Sequence, residues 1–121
     1  MAKIFFVDDE PITLQILGKA AQILGHTPVL IDNSMEVLSR IEAEKPDLIM
    51  MDMMMPEMDG LEVLRHLRQR EETASIPVVI LSAGAALDDR ERVEAAGAQE
   101  YLTKPVGLNR LMDTIKKYTG S

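Results

Sequence analysis

The chain has 121 residues, 46% of them hydrophobic, and its 13 Lys and Arg against 20 Asp and Glu give a net charge of -7. A chain of this length forms one domain and buries roughly two thirds of the surface that it exposes when unfolded. Its negative field disfavours nucleic acid as a partner. Without cysteine there is no disulfide, thiolate zinc site or catalytic thiol, and no apolar run is long enough for a secretory signal or a membrane span. We therefore expect a cytoplasmic protein without membrane or nucleic-acid contacts.

Short apolar runs alternate with helical periodicities about five times along the chain. Strands are predicted at residues 3–8, 28–32, 47–52, 76–81 and 99–103, where Val, Ile, Leu, Phe and Met dominate. Strict alternation of strands and helices with short connections predicts an α/β fold, a parallel sheet covered by helices on both faces. No linker, repeat or low-complexity tract divides the chain, so residues 1–121 are expected to form a single domain.

The first helix is predicted to begin at Pro11 and to stop at Gly25. Its apolar stripe consists of Ile12, Ile16, Ala20 and Ile23, with Leu17 and Leu24 beside it. Because these positions repeat with the helix period, we expect the stripe to face the core.

Four more helices are predicted. The second begins at Asn33 or Ser34 and ends before Pro46, and the third begins near Gly60. The fourth, residues 87–96, is mostly charge and alanine, so it has the weakest apolar anchor of the five. The apolar positions of the fifth are Leu108, Leu111, Met112 and Ile115.

Three aspartates stand at the ends of predicted strands. Asp8 and Asp9 follow the first strand, and Asp52 ends the third. If these strands are neighbours, the carboxylates emerge at one sheet edge, where like charges ~4 Å apart repel by about 1 kcal/mol in water. A hard divalent cation relieves this repulsion, and carboxylates with open positions for water and phosphate oxygens describe a Mg²⁺ site.

The aspartates also have structural readings. Acidic residues before Pro11 are common helix caps, so Asp8 and Asp9 alone are equally consistent with capping. Asp52 interrupts an apolar run, where an unpaired buried carboxylate costs several kcal/mol, so a purely structural role is the less favoured alternative for this residue.

Two further polar residues are predicted at the same edge. Ser82 follows the fourth strand, and Lys104 follows the fifth. Either residue alone is typical of a turn or an exposed surface. Together with the three carboxylates they supply metal ligands, a nucleophile, a hydrogen-bond donor and a countercharge, a set that suits phosphoryl chemistry.

Four segments of the chain resemble the signature blocks of the receiver domains of two-component response regulators. They are FVDDE at residues 6–10, MDMMMPEMDG at 51–60, VILSA at 79–83 and YLTKP at 101–105. The match runs from residue 3 to about 118, in order and at the usual spacing. The resemblance implies a flavodoxin-like fold, with a five-stranded parallel sheet of order 2-1-3-4-5 doubly wound with five helices.

The resemblance implies that Asp52 is the phosphoacceptor. Its carboxylate takes a phosphoryl group in line from the phosphohistidine of a sensor histidine kinase or phosphotransfer protein. Asp9, Asp52 and the backbone carbonyl of Met54 are implied as Mg²⁺ ligands, with Asp8 acting nearby or through water. Lys104 then stabilises the charge of the transition state.

The resemblance also implies a switch. Ser82 donates a hydrogen bond to the phosphoryl group, and Tyr101 turns inward as Ser82 moves. Pro105 matches a proline that follows a cis peptide, and the positions of Met54 and Gly84 tune the lifetime of the phosphoryl group. The implied output surface comprises helix 4, strand 5 and helix 5, which contact a downstream protein target. The chain is expected to be a monomer or a weak, phosphorylation-dependent dimer.

Two alternatives stay open at this point. The chain is either a receiver with no output domain or the receiver part of a larger regulator with DNA-binding or cyclic-dinucleotide output. A phosphohydrolase of the haloacid-dehalogenase type also forms an aspartyl phosphate, but it needs a second acid two residues after its nucleophile, where this chain has Met54. We expect a signalling domain that catalyses only its own phosphorylation and dephosphorylation.

Overall fold

The computed structural model of the chain describes residues 1–83 and 87–120, with only the backbone described for residues 87–89. The main elements in chain order are β1 (Lys3–Val7), α1 (Pro11–Ile23), β2 (Thr27–Ile31), α2 (Val37–Glu44), β3 (Leu48–Asp52), α3 (Gly60–Gln69), β4 (Val78–Ser82), α4 (Leu87–Ala95), β5 (Glu100–Thr103) and α5 (Leu108–Thr119). A 3-10 turn, Ser34–Glu36, precedes α2 and is capped by the Asn33 side chain, which accepts the Met35 N–H. The two-residue strands Met54–Met55 and Met58–Asp59 pair antiparallel between β3 and α3, and we call them the acceptor hairpin.

The five main strands form one parallel sheet in the order β2-β1-β3-β4-β5, which confirms the predicted fold class. The strand order reverses between β1 and β3, and in open parallel sheets ligands bind at the carboxyl ends of the strands beside this reversal. Val7 lies opposite Met51, and Ser82 lies opposite Thr103. This register brings the chain segments that follow β1, β3, β4 and β5 to the same edge.

Each face of the sheet is covered by helices, so the three central strands β1, β3 and β4 are buried on both sides, while the edge strand β2 is partly exposed. One core cluster includes Phe5, Val7, Ile49, Met51 and residues of α2 and α3, and the other includes Ile4, Phe6, Leu48, Met50 and residues of α1 and α5. Burial on both faces accounts for the nearly continuous apolar runs in the sequence, because neither set of alternate side chains meets water. No helix within the described part of the chain has the length and apolar composition needed to span a lipid bilayer.

The predicted apolar stripe of α1 is only partly buried: Ala20 and the adjacent Leu17 lie in the core, but the three isoleucines do not. Ile12, Ile16 and Ile23 are 73%, 53% and 59% exposed. The buried residues of α1 are Leu14, Leu17, Gly18, Ala20 and Ala21. A Cβ added to Gly18 would lie 3.2 Å from Leu30 Cδ2, so α1 packs closely on β2 through its small residues. The three isoleucines face outward, although their spacing and apolar character predicted that they would face the core.

The described side chains of α4 agree with the weak anchor predicted for this helix. Among its described side chains, residues 90–95, only Val93 is buried. For this described part of α4, Val93 is the contact that holds the helix to the core.

Candidate functional site

The three predicted aspartates meet at the carboxyl edge of the sheet. Asp8 and Asp9 follow β1, Asp52 is the last residue of β3, and one carboxylate oxygen of each lies within 4.8 Å of the others. Asp8 is fully buried, Asp52 is 8% exposed and Asp9 is exposed. The strand pairing thus creates the carboxylate cluster that the sequence predicted.

Lys104 reaches into this cluster from the segment after β5. Its Nζ lies 2.6 Å from Asp8 Oδ2 and 3.3 Å from Asp52 Oδ2, and more distantly 3.8 Å from Glu10 Oε1. Partial burial opposes the charged ammonium, but the hydrogen bond to Asp8 and the charges of both aspartates outweigh it and raise the pKa of Lys104. Lys104 is therefore a cation at neutral pH.

At Asp52, by contrast, the effect of burial on the pKa outweighs the effect of the neighbouring positive charge. Burial raises its pKa, and the like charge of Asp8 acts in the same direction. The charge of Lys104 and a hydrogen bond from the Met54 N–H lower it, but the net shift is upward. Asp52 is thus a carboxylate whose negative charge is incompletely compensated by the protein, which suits a group that attacks an electrophile beside a cation.

The acceptor hairpin is held against the end of β3 by backbone contacts. The Met53 N–H donates to Leu81 O (2.8 Å), and the Gly60 N–H donates to Met53 O (2.7 Å). A Cβ at Gly60 would lie 2.9 Å from the carbonyl oxygens of both Asp52 and Met53, so only glycine fits this approach. Asp59 caps α3 by accepting the Leu61 N–H at 2.9 Å. The backbone around Asp52 is therefore fixed on both sides.

Ser82 and Pro105 complete the predicted set. Ser82 is the last residue of β4 and is 7% exposed, and its carbonyl oxygen accepts the Lys104 N–H at 2.7 Å. The peptide bond between Lys104 and Pro105 is cis. Tyr101 in β5 is buried, at 2% exposure, and the Arg90 guanidinium lies 5.1 Å from the centre of its ring. Gly84 lies outside the described residues.

Asp52, Ser82 and Lys104 line an open cavity of about 570 Å³ at this edge. Three charged residues that the sequence analysis did not assign, Glu10, Asp59 and Arg92, line it as well. Asp59 has a sequence signal, since an aspartate directly before Gly60 and an apolar helical pattern is a typical N-cap. Arg92 has none, because one more charge in a charged helix is ordinary.

Comparison with known proteins agrees with this geometry. Residues 4–116 match the family model of the response regulator receiver domain. The polar-differentiation response regulator DivK of Brucella anthropi is 32% identical over 117 residues, which cover 97% of this chain and 95% of DivK.

Solved structures show the same likeness. A response regulator receiver domain protein from Clostridium thermocellum is 30% identical, with a TM-score of 0.89 over 99% of this chain and 95% of that chain. The receiver domain of the sensor histidine kinase PA1611 from Pseudomonas aeruginosa is 28% identical, with a TM-score of 0.87 over 99% of this chain and 98% of that chain, and has a magnesium ion coordinated in its active-site cleft. From its sheet order, its carboxylate edge and these matches, the chain belongs to the receiver domains of two-component response regulators, which act in phosphorelay signalling.

Proposed function

We propose that Asp52 accepts the phosphoryl group. The observation that carries this proposal is the position of its carboxylate, which lines the open cavity at the sheet edge, 3.3 Å from the Lys104 ammonium and beside two further carboxylates. The other predicted acids fit the role less well. Asp8 is fully buried with its Oδ2 on Lys104 and its Oδ1 on the Glu10 N–H, and Asp9 is exposed at the rim.

The proposed step is an in-line displacement at phosphorus. A carboxylate oxygen of Asp52 attacks the phosphorus of a phosphohistidine, and a new O–P bond forms as the P–N bond breaks. The imidazole leaves with the electron pair of the P–N bond and takes up one proton from solvent. The domain in this way catalyses its own phosphorylation, and hydrolysis of the acyl phosphate by water returns it to its starting state.

Two side chains of the cavity act on the transferred group. The Lys104 ammonium is already oriented by Asp8, so it can stabilise developing negative charge on a phosphoryl oxygen without reorganising. The Ser82 hydroxyl lies at the end of the neighbouring strand β4 and donates a hydrogen bond to another phosphoryl oxygen.

The donor set fits Mg²⁺. Three carboxylate oxygens within 4.8 Å of one another form a hard, anionic site. Asp9 and Asp52 would hold the ion together with the backbone carbonyl of Met54, with Asp8 nearby. When bound, Mg²⁺ supplies neutralising charge for the phosphoryl oxygens.

A sensor histidine kinase or a phosphotransfer protein is the proposed donor, and a protein target contacts α4, β5 and α5. Buried Tyr101 on β5 supports this output face, because its ring lies between the sheet and an arginine of the poorly anchored α4. A single receiver domain over residues 1–121, a cytoplasmic location and a monomeric or weakly dimeric state stay predictions, and the length of the native reading frame decides whether an output domain follows.

The proposal is tested with acetyl phosphate and Mg²⁺, followed by intact-mass measurement. We expect wild-type protein to gain the mass of one phosphoryl group and Asp52→Asn to gain none. Asp113→Asn, an exposed substitution on α5 with the same charge change, serves as the control and should label like wild type. An unchanged adduct in Asp52→Asn would show that another residue is the acceptor.

A further inference from the structure

The open cavity of about 570 Å³ beside Asp52 is called the acceptor cavity below. Two cationic side chains among the described residues line it, Lys104 and Arg92. Lys104 is bound to Asp8 at 2.6 Å and lies 3.3 Å from Asp52, so its charge already serves the two aspartates. Arg92 comes from a different element, α4, and its side chain is exposed. The cavity thus receives its second positive charge from α4, of whose described side chains only Val93 is buried.

Helix α4 also contacts the buried tyrosine of β5. Arg90 lies over the Tyr101 ring, and Val93 is the residue of this helix that enters the core. Successive helix residues are about 100° apart around the helix axis. Viewed along this axis, Arg90 is therefore about 60° from Val93 on one side, and Arg92 is about 100° from it on the other. A rotation or shift of α4 about Val93 therefore moves both arginines together.

Phosphorylation changes the charge that faces Arg92. A carboxylate at Asp52 carries one negative charge, whereas a phosphoryl group at neutral pH carries a charge of about -1.5 to -2 and three acceptor oxygens. Arginine is suited to this group, since its planar guanidinium donates two parallel hydrogen bonds to phosphate oxygens. The phosphoryl group also projects from Asp52 into the cavity, which brings its oxygens closer to the wall that Arg92 forms.

We propose that Arg92 is a phosphoryl-binding residue, whose guanidinium binds oxygens of the phosphoryl group on Asp52 and so draws α4 towards the acceptor cavity. This inference rests on the proposed function of Asp52. It assigns to a residue of α4 a direct contact with the phosphoryl group, in addition to the contacts from Lys104 and Ser82. The two arginines of α4 then couple the chemistry at Asp52 to the ring of Tyr101, because both belong to one rigid helix.

Such a contact shifts the position of α4 only if it is stronger in the phosphorylated form. Before phosphorylation, Lys104 binds Asp8 at 2.6 Å and lies 3.3 Å from Asp52, so it partly neutralises both carboxylates. After phosphorylation, dianionic oxygens lie within the cavity itself. The interaction of Arg92 with the cavity is therefore stronger after phosphorylation, and among the described side chains of α4, residues 90–95, only Val93 is held in the core.

The experiment measures the binding of beryllium fluoride, a phosphoryl mimic, with Mg²⁺ by fluorine NMR in wild type, Arg92→Gln, Arg92→Lys and Arg65→Gln. Arg65 is exposed on α3 and does not line the cavity, so its variant controls for the loss of one positive charge. We expect Arg92→Gln to bind the mimic about tenfold more weakly than wild type, the loss of one charge-assisted hydrogen bond. The affinity of Arg92→Lys for the mimic should lie between those of wild type and Arg92→Gln, since lysine keeps the positive charge but cannot donate two parallel hydrogen bonds. Arg65→Gln should match wild type.

Equal affinity of Arg92→Gln, Arg65→Gln and wild type for the mimic would overturn the proposal. If Arg92 has a merely structural role, both Arg92 variants should have lower melting temperatures and equally weakened binding of the mimic, without a graded order of Arg, Lys and Gln. That outcome would also overturn the proposal. Failure of the proposed function appears differently, as no bound fluoride signal and no phosphoryl adduct in wild-type protein.

Discussion

At the scale of single residues, the contact that most shapes the site is the ion pair of Asp8 and Lys104. Asp8 is fully buried, and both of its carboxylate oxygens have partners, Lys104 Nζ at 2.6 Å and the Glu10 N–H at 2.9 Å. The Glu10 N–H lies before the first residue of α1, so this hydrogen bond orders the segment that enters α1 and is not a side-chain cap of the helix. The buried charge of Asp8 is tolerated because both oxygens are satisfied.

Removing the cation should therefore destabilise the fold. We expect Lys104→Met to lower the free energy of unfolding by about 3 kcal/mol in the presence of a chelator, because Asp8 and Asp52 then repel each other without compensation. The double variant Lys104→Met with Asp8→Asn should regain part of that loss. Urea unfolding measures both changes. The control is Lys3→Met, which breaks a partly exposed pair with Glu44 and should cost less than about 1 kcal/mol.

Glu100 at the start of β5 is a second residue whose charge matters to the fold. Burial alone would raise its pKa, but the Tyr118 hydroxyl at 2.7 Å and Lys117 at 3.1 Å outweigh that effect, with Arg110 adding to it, and the pKa lies below its ordinary value of 4.5. A carboxyl group with a lowered pKa stabilises the fold when it is ionised.

This shift predicts a pH dependence of stability. The contribution of Glu100 is fully present above pH 4.5 and is lost as the pH falls through the lowered pKa of the folded state. Wild type should therefore be more stable than Glu100→Gln at neutral pH, and the difference should shrink in acid. Chemical unfolding of the two proteins between neutral pH and about pH 3 tests this. A difference that stays constant over this range would contradict the assignment.

At the scale of elements, α1 has two apolar faces and only one of them packs. The packed face contains Leu17, 3% exposed, with Gly18 and Ala21, whereas Ile16 on the other face is 53% exposed. Ile16 and Leu17 are consecutive residues of similar size, so they form a matched pair that differs in burial.

Alanine substitutions distinguish the two faces. Leu17→Ala should lower the free energy of unfolding by about 2 to 4 kcal/mol, because it leaves a cavity between α1 and the sheet. Ile16→Ala should change it by less than about 0.5 kcal/mol, since an exposed position loses little burial and alanine favours the helix. Comparable losses from both substitutions in urea unfolding would show that the outer face of α1 is covered in solution.

At the scale of the whole molecule, the carboxylate cluster links metal binding to folding. The net charge of -7 and three converging aspartates favour a bound cation, and an ion that binds only the folded chain stabilises it by mass action. At a Mg²⁺ concentration about 100 times the dissociation constant, the gain is about 2.7 kcal/mol.

We therefore expect the melting temperature of the unmodified protein to rise with Mg²⁺ concentration. In Asp9→Asn the rise should need much more Mg²⁺, because an exposed ligand charge is lost while the core is untouched. Asp113→Asn has the same charge change far from the cluster and should respond like wild type. A melting temperature that is independent of Mg²⁺ up to tens of millimolar would refute the metal site.

The sequence by itself determined the order of strands and helices and the residues at the carboxyl edge. Both follow from local properties: a strand buried on both faces needs a continuous apolar run, and a polar residue that ends such a run must lie at the edge of the sheet. Only the tertiary structure decided that Gly18 and Ala21 turn α1 away from the face with its large isoleucines, and that Arg92 of α4 reaches the cavity of Asp52. It also joined Lys104 to Asp8, 96 residues away in the chain. These contacts depend on how closely distant elements approach, and periodicity along one segment carries no information about that distance.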